Sequence, residues 1–205
     1  MTETAPPKSR VKQVRILLWA LVVLAIAGTA ALWFFHSAPV QSTEAKSSFG
    51  GPFTLIGADG KPFPSSRLAG KPYAIYFGFT RCGDVCPTTL QRLVKLRREA
   101  ASDGALNIVF ITIDPKNDRP KEVGQYAQLF GAPIIGLTGS PAQIEQVKKQ
   151  YGVYAEPVPH AAMGQSIAHT ATVLLFDRSG KFSGTISADE PDSSAVAALK
   201  ELIAL

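Results

Sequence analysis

The chain has 205 residues, of which 18% are charged, and a formal net charge of +5. That length suits one domain of ordinary size plus an appendage. A charged share below the usual quarter points to a part of the chain that is not in water. Lys8, Arg10, Lys12 and Arg15 against Glu3 give the first fifteen residues +3, leaving +2 for the body. A nearly neutral body carries no phosphate-binding stripe, which argues against nucleic acid as a partner.

The basic tail, 1–15, runs into Ile16 to Phe35, a charge-free and predominantly apolar stretch of twenty residues. That is the length a helix needs to cross a hydrocarbon core of ~30 Å. Gly28 is tolerated in such helices, and Trp33 suits the membrane interface. Basic residues before the run and none directly after it place the N-terminus in the cytoplasm. A cleaved signal peptide is the competing reading, with Ala25-Ile26-Ala27 as its cleavage site. The apolar run continues beyond that point, however, as a signal peptide does not require. The expectation is a transmembrane anchor over 16–35 and a single-pass protein of the bacterial inner membrane, with its functional domain in the periplasm. That space is oxidising, so exposed thiols there need a reducing partner or a metal.

Residues 36–50 are rich in Ser, Pro, Gln and Lys and read as a linker. The folded domain is expected over 51–205. Phe53 to Ile56 reads as a strand, and the Asp59-Gly60 turn returns it as a hairpin through Pro62-Phe63. Tyr73 to Phe79 is apolar without alternation, as expected of a strand covered on both faces. Thr88 to Ala101 has an apolar stripe, Leu90, Leu93, Val94 and Leu96, at helical spacing. Ile108 to Ile113 is a second buried strand. Asp118 reads as the N-cap of a helix from Arg119 to Phe130, with Pro120 in its first turn. Ile134 to Leu137 is a short strand, and Ser140-Pro141 starts a helix to Tyr151. Residues 152–166 read as a loop, His169 to Phe176 as a strand, Lys181 to Ile186 as its antiparallel return, and Ser193 to Leu205 as a last helix. Strands alternating with helices and closing on a hairpin predict an α/β domain with a mixed sheet.

Between the strand ending at Phe79 and the following helix stand the only two cysteines, Cys82 and Cys86. A cysteine at a helix start is expected to have a lowered thiol pKa, because free N–H groups and the helix dipole favour the thiolate. Two thiols four residues apart can form a disulfide. They can also grip a soft ion such as Cu(I), or supply half of a zinc site. The residues alone leave that choice open. Of the three histidines, His36 abuts the apolar run, His160 lies in the expected loop, and His169 opens an apolar strand, where a hydrogen-bonded core role is the ordinary one. Asp84 reads as an acid at a helix N-terminus.

Thr80-Arg81-Cys82-Gly83-Asp84-Val85-Cys86-Pro87-Thr88-Thr89-Leu90, Thr112-Ile113-Asp114-Pro115, Gly136 to Ser140, and Ala168-His169-Thr170 leading to Phe176-Asp177-Arg178-Ser179-Gly180 together resemble the Sco/SenC family. The resemblance spans about residues 50–205 and implies a thioredoxin-like fold in which residues 134–151 are an insertion. It implies Cys82, Cys86 and His169 as copper ligands, for Cu(I) or Cu(II). It implies a metallochaperone that helps assemble the dinuclear copper centre of cytochrome c oxidase. The implied partners are the copper-bearing subunit or its assembly factors, and a copper donor. Gly83 departs from the Pro usual in the family, and Ala168 from the Asp that commonly precedes the histidine. A thiol–disulfide oxidoreductase that keeps the cysteines of a copper-site protein reduced is the alternative. It needs Cys82 and Cys86 but not His169. A peroxidase-like enzyme is a third reading with no specific support.

Overall fold

The computed structural model describes residues 8–36, 49–102, 104–158 and 166–205. For 8–12, 27, 29–36, 157, 158, 166, 168 and 169 it describes the backbone alone. The expectations for residues 1–7, for most of the linker and for His160 lie outside the described residues. Two compact units are present, residues 1–46 and 47–205.

Among the described residues the first unit is one helix, α1 (Lys8–His36). Its described side chains from Val14 to Ile26 include large exposed apolar groups; Leu24 is 71% exposed. Among the described residues no helix is long and apolar enough to cross a membrane. The side chains described in α1 extend only over 13–26 and Gly28.

The second unit begins with a hairpin, β1 (Thr54–Gly57) and β2 (Pro62–Pro64). Gly60 sits in its turn at φ 73°, a conformation that costs glycine nothing. There follow β3 (Tyr73–Gly78), α2 (Val85–Ala100), β4 (Asn107–Thr112) and α3 (Pro120–Gln128). Next come β5 (Ile134–Thr138), α4 (Pro141–Gln150), and a two-stranded ribbon of β6 (Ala155–Val158) and β7 (Ser166–His169). The chain closes with β8 (Val173–Phe176), β9 (Phe182–Ile186) and α5 (Asp192–Ala204). Seven strands form one sheet in the order β2-β1-β5-β4-β3-β8-β9. The three central strands β5, β4 and β3 are parallel, and the flanking pairs are antiparallel. This is a mixed α/β fold, a central sheet flanked by helices.

Every residue of β3 is buried, because both faces of the sheet are covered. On one face Tyr76 and Gly78 meet α2, and Phe110, in register with Tyr76, packs on Tyr126 of α3 at 5.1 Å between ring centroids. On the other face Phe77 meets Tyr151, which also packs against Phe53 and Phe176. Gly136 is a point of close approach: a Cβ there would lie 2.7 Å from the Val123 carbonyl oxygen, so only glycine lets α3 settle on β5. Along α2, Cys86, Leu90, Leu93, Val94 and Leu96 are buried. The expected apolar stripe therefore extends one turn further back than its leucines suggest, and the helix begins at Val85 rather than Thr88.

Residues 134–151 supply β5, which lies between β1 and β4 in the middle of the sheet, and α4. Three other expectations are corrected. His169 to Phe176 is not one strand. Through His169 the chain pairs with β6, and from Val173 it pairs with β3 and β9. Residues 170–172 make the change, held where Thr170 N–H donates to the Tyr154 carbonyl (3.1 Å). His169 thus ends β7 instead of opening β8, and the expected loop 152–166 contains β6. Finally, Asp118 does not cap α3. The N-cap is Arg119, and Asp118 is fully buried.

Candidate metal centre

Parallel strands leave their functional ends on one edge of the sheet, where crossover loops begin. β3 ends there at Gly78, and Phe79 to Asp84 carry the chain over to α2. Cys82 lies in this loop, half-buried, and Cys86 lies in the first turn of α2, fully buried. The two sulfurs are held as free thiols. Cys86 N–H, one of the helix's unpaired first-turn donors, points at Cys82 Sγ at 3.3 Å. The stabilising N–H at the helix start therefore serves Cys82, the sulfur outside the helix.

Cys86 has a different environment. Its sulfur lies over Gly78, where a Cβ would come within 2.9 Å of Sγ and within 3.1 Å of both Tyr76 and Phe110. Only a residue without a side chain leaves room for that sulfur at the end of β3. Burial pushes the Cys86 thiol up to about 12 from its ordinary 9.0. The Cys82 sulfur adds to the rise, while hydrogen bonds from the Phe79 backbone and the Tyr76 hydroxyl oppose it. The lowered pKa expected of a helix-start cysteine is reversed here, because desolvation of a buried thiolate outweighs the helix terminus. Tyr76 is itself raised, by burial first and then by Cys86.

The approach to Cys82 is anchored from the β4–α3 connection. Thr80 donates to the Asp118 carboxylate through its N–H (2.9 Å) and its hydroxyl (2.6 Å). Arg81 pairs with Asp114 at 2.7 Å. Cys82 N–H donates to the Phe79 carbonyl at 3.2 Å. On the far side of the loop a Cβ on Gly83 would meet nothing within 4 Å, and its φ lies outside the left-handed region. The departure from proline at this position therefore leaves a loop that neither requires glycine nor crowds it. Asp84 is the N-cap of α2 by position, but its side chain makes no capping hydrogen bond.

The backbone of His169 pairs with Ala155 across the β6–β7 ribbon; its side chain lies outside the described residues. Among the described residues no cluster of three His, Cys, Asp or Glu side chains is poised for a metal. The sequence thus led to both cysteines but not to Gly78 or Tyr76, and it named Asp114 only within a family motif and Asp118 only as a helix cap. Two threonines at the ends of apolar strands, Thr80 and Thr112, were the available signal for a buried polar partner.

Two sulfurs of unlike exposure at a strand-to-helix junction define a thioredoxin-like domain with a paired-thiol site. A family model described as SCO1/SenC matches residues 41–204, and the chain belongs to that family. It is 40% identical over 132 residues to the mitochondrial SCO1 homolog 1 of Arabidopsis thaliana, covering 63% of this chain and 40% of that protein. It is 37% identical over 143 residues to the SCO2-like protein RP587 of Rickettsia prowazekii, covering 68% and 69%. The match thus spans less than half of the plant protein's length. Among solved structures, Bradyrhizobium japonicum ScoI with copper bound is similar at a TM-score of 0.67 and 37% identity, over 75% of this chain and 99% of that one. Arabidopsis thaliana ScoI with copper bound gives 0.72 and 32%, over 76% and 98%.

Proposed function

We propose that this chain is a membrane-anchored copper chaperone that carries Cu(I) or Cu(II) on Cys82, Cys86 and His169 and delivers it to the dinuclear copper centre of cytochrome c oxidase. The observation that carries the reading is the convergence of the two sulfurs on the Cys86 N–H end of α2, in a fold whose relatives are solved with copper bound. Two thiolates suit Cu(I), and an imidazole completes a three-coordinate set that Cu(II) can extend with water. His169 is favoured as the third ligand by the course of the chain after it. Ala171, two residues on, lines the same small cavity as Thr89 and Leu93 of α2. The anchor is Ile16–Phe35, twenty charge-free residues within the continuous helix α1. At 1.5 Å per residue this run spans about 30 Å.

The test is copper binding by the reduced protein without air. His169→Ala should lose most of the Cu(II) affinity while keeping part of that for Cu(I). Equal Cu(II) binding by parent and variant would remove His169 from the ligand set.

The thiol–disulfide oxidoreductase reading has an observation of its own. Cys82 is accessible and receives an N–H hydrogen bond, while Cys86 is buried and its thiol pKa is pushed up by that burial. That is the asymmetry of an attacking and a resolving thiol. Turnover on a partner disulfide, undiminished in His169→Ala and without tight copper binding, would favour it.

A further inference from the structure

We infer that Asp118 is a positioning residue for the cysteine loop: its buried carboxylate grips Thr80 by both backbone and side chain and so fixes where Cys82 stands relative to the start of α2. The inference rests on the reading of Cys82 as a copper ligand.

Asp118 is 0% exposed. One carboxylate oxygen, Oδ2, accepts from Thr80 N–H at 2.9 Å and from the Thr112 hydroxyl at 2.6 Å. The other, Oδ1, accepts from the Thr80 hydroxyl at 2.6 Å. The Asp118 carbonyl accepts from the Thr138 hydroxyl, also at 2.6 Å. The three threonines stand at the ends of β3, β4 and β5, so one residue gathers the same edge of all three parallel strands. Among the described residues no basic side chain pairs with this carboxylate.

A buried carboxylate without a counter-ion is an expensive way to hold strands together. An ionised carboxylate is acceptor-only, with about four lone-pair sites. It can therefore collect several donors at short distance, and such charge-assisted bonds are strongly directional. A neutral amide in the same place would present an N–H₂ to at least one of those donors. The property gained is a defined geometry where the chain leaves β3, and Thr80 is two residues ahead of Cys82.

The rest of the loop agrees. Asp114, four residues before Asp118, holds Arg81 at 2.7 Å and is braced by Asn117 Nδ2, which donates to both its oxygens at 3.0 and 2.9 Å. The Asp118 N–H in turn donates to the Asp114 carbonyl at 2.9 Å. One short connection thus clamps two consecutive residues, Thr80 and Arg81. Beyond Cys82 the space around Gly83 is open. The position of the Cys82 sulfur against Cys86 N–H is consequently set from the Thr80 side.

The test uses the full chain in detergent micelles as parent, Asp118→Asn, Thr80→Ala and Thr80→Ser. Two properties are read. The first is the metal-free equilibrium with glutathione, in which the Cys82–Cys86 dithiol and one oxidised glutathione give one protein disulfide and two reduced glutathiones. The second is the absorption and paramagnetic resonance spectrum after one equivalent of Cu(II) chloride, with its dissociation constant. Asp118→Asn and Thr80→Ala should each move the glutathione equilibrium constant and the Cu(II) dissociation constant by about tenfold, the scale on which residues supporting a ligand act. Thr80→Ser, which keeps both donors, should stay at the parent values. Folded Asp118→Asn and Thr80→Ala proteins with parental glutathione equilibrium and Cu(II) spectrum would overturn the inference. If Asp118→Asn does not fold, Thr80→Ala decides, since it removes one hydroxyl and leaves the carboxylate two donors. If the parent binds no copper, the copper reading fails, and the metal-free equilibrium still judges Asp118.

Discussion

Cys82 and Cys86 are four residues apart and chemically unlike. Cys82 is reachable from outside and receives the helix-start N–H, whereas Cys86 is sealed beneath α2 against Gly78. A reduced, metal-free protein at neutral pH should therefore be alkylated by iodoacetamide at Cys82 and spared at Cys86, as mapped by mass spectrometry of the peptides. Equal labelling would contradict the burial of Cys86. The same burial gives a pH dependence of known sign. The folded-state pKa of Cys86, about 12, lies above its ordinary 9.0, so the fold favours the thiol. Its contribution to stability is complete below about 9 and is lost as pH climbs through about 12. Alkaline unfolding should accordingly be delayed in Cys86→Ala relative to the parent, after correction for the variant's lower stability at neutral pH. The sequence located both sulfurs but not this difference, because a helix start is a local property and burial is not.

At the scale of elements, two helix starts look alike in sequence and do different things. Ser140-Pro141 and Asp118-Arg119-Pro120 both read as a small polar cap ahead of proline. Ser140 does cap α4: its hydroxyl accepts from Gln143 N–H, and the Gln143 side chain accepts from Ser140 N–H in return, completing a capping box. Ser140→Ala should cost about 1 kcal/mol in urea unfolding, the usual worth of such a cap. Copper binding should be unchanged, since α4 packs on the sheet face opposite α2. A fall in copper affinity would mean that the two faces are coupled. Asp118 is taken from the capping role by donors that the local sequence does not contain. Thr80, Thr112 and the Thr138 hydroxyl reach it only once three strands lie side by side. The split of His169–Phe176 has the same kind of cause. Eight residues of strand-forming sequence are divided because β7 pairs with the ribbon and β8 with the sheet.

For the molecule as a whole, the decisive expectation is the anchor. If Ile16–Phe35 spans a bilayer, the full chain should stay with membranes through an alkaline carbonate wash, and a chain lacking residues 1–36 should be released. Recovery of the full chain in the wash would reduce α1 to a surface helix. The exposed apolar side chains along α1 form a surface that water does not stabilise.

What the sequence determined by itself was whatever short-range chemistry dictates. That includes the charge-free run, the alternation of buried strands with amphipathic helices, the hairpin turn at Asp59-Gly60, the cap at Ser140, and the two cysteines at a strand-to-helix junction. Four motifs in order were enough for the family, and the comparison bears that out. The tertiary structure alone decided which cysteine is buried, why Gly78 and Gly136 carry no side chain, that β5 lies inside the sheet, and that Asp118 closes the edge from which the cysteine loop departs. The division has a physical reason. Capping, turns and amphipathic spacing are settled within a few residues. Desolvation and close packing bring together groups as far apart in the chain as Phe53 and Tyr151, and the partners of the buried carboxylate lie up to 38 positions away.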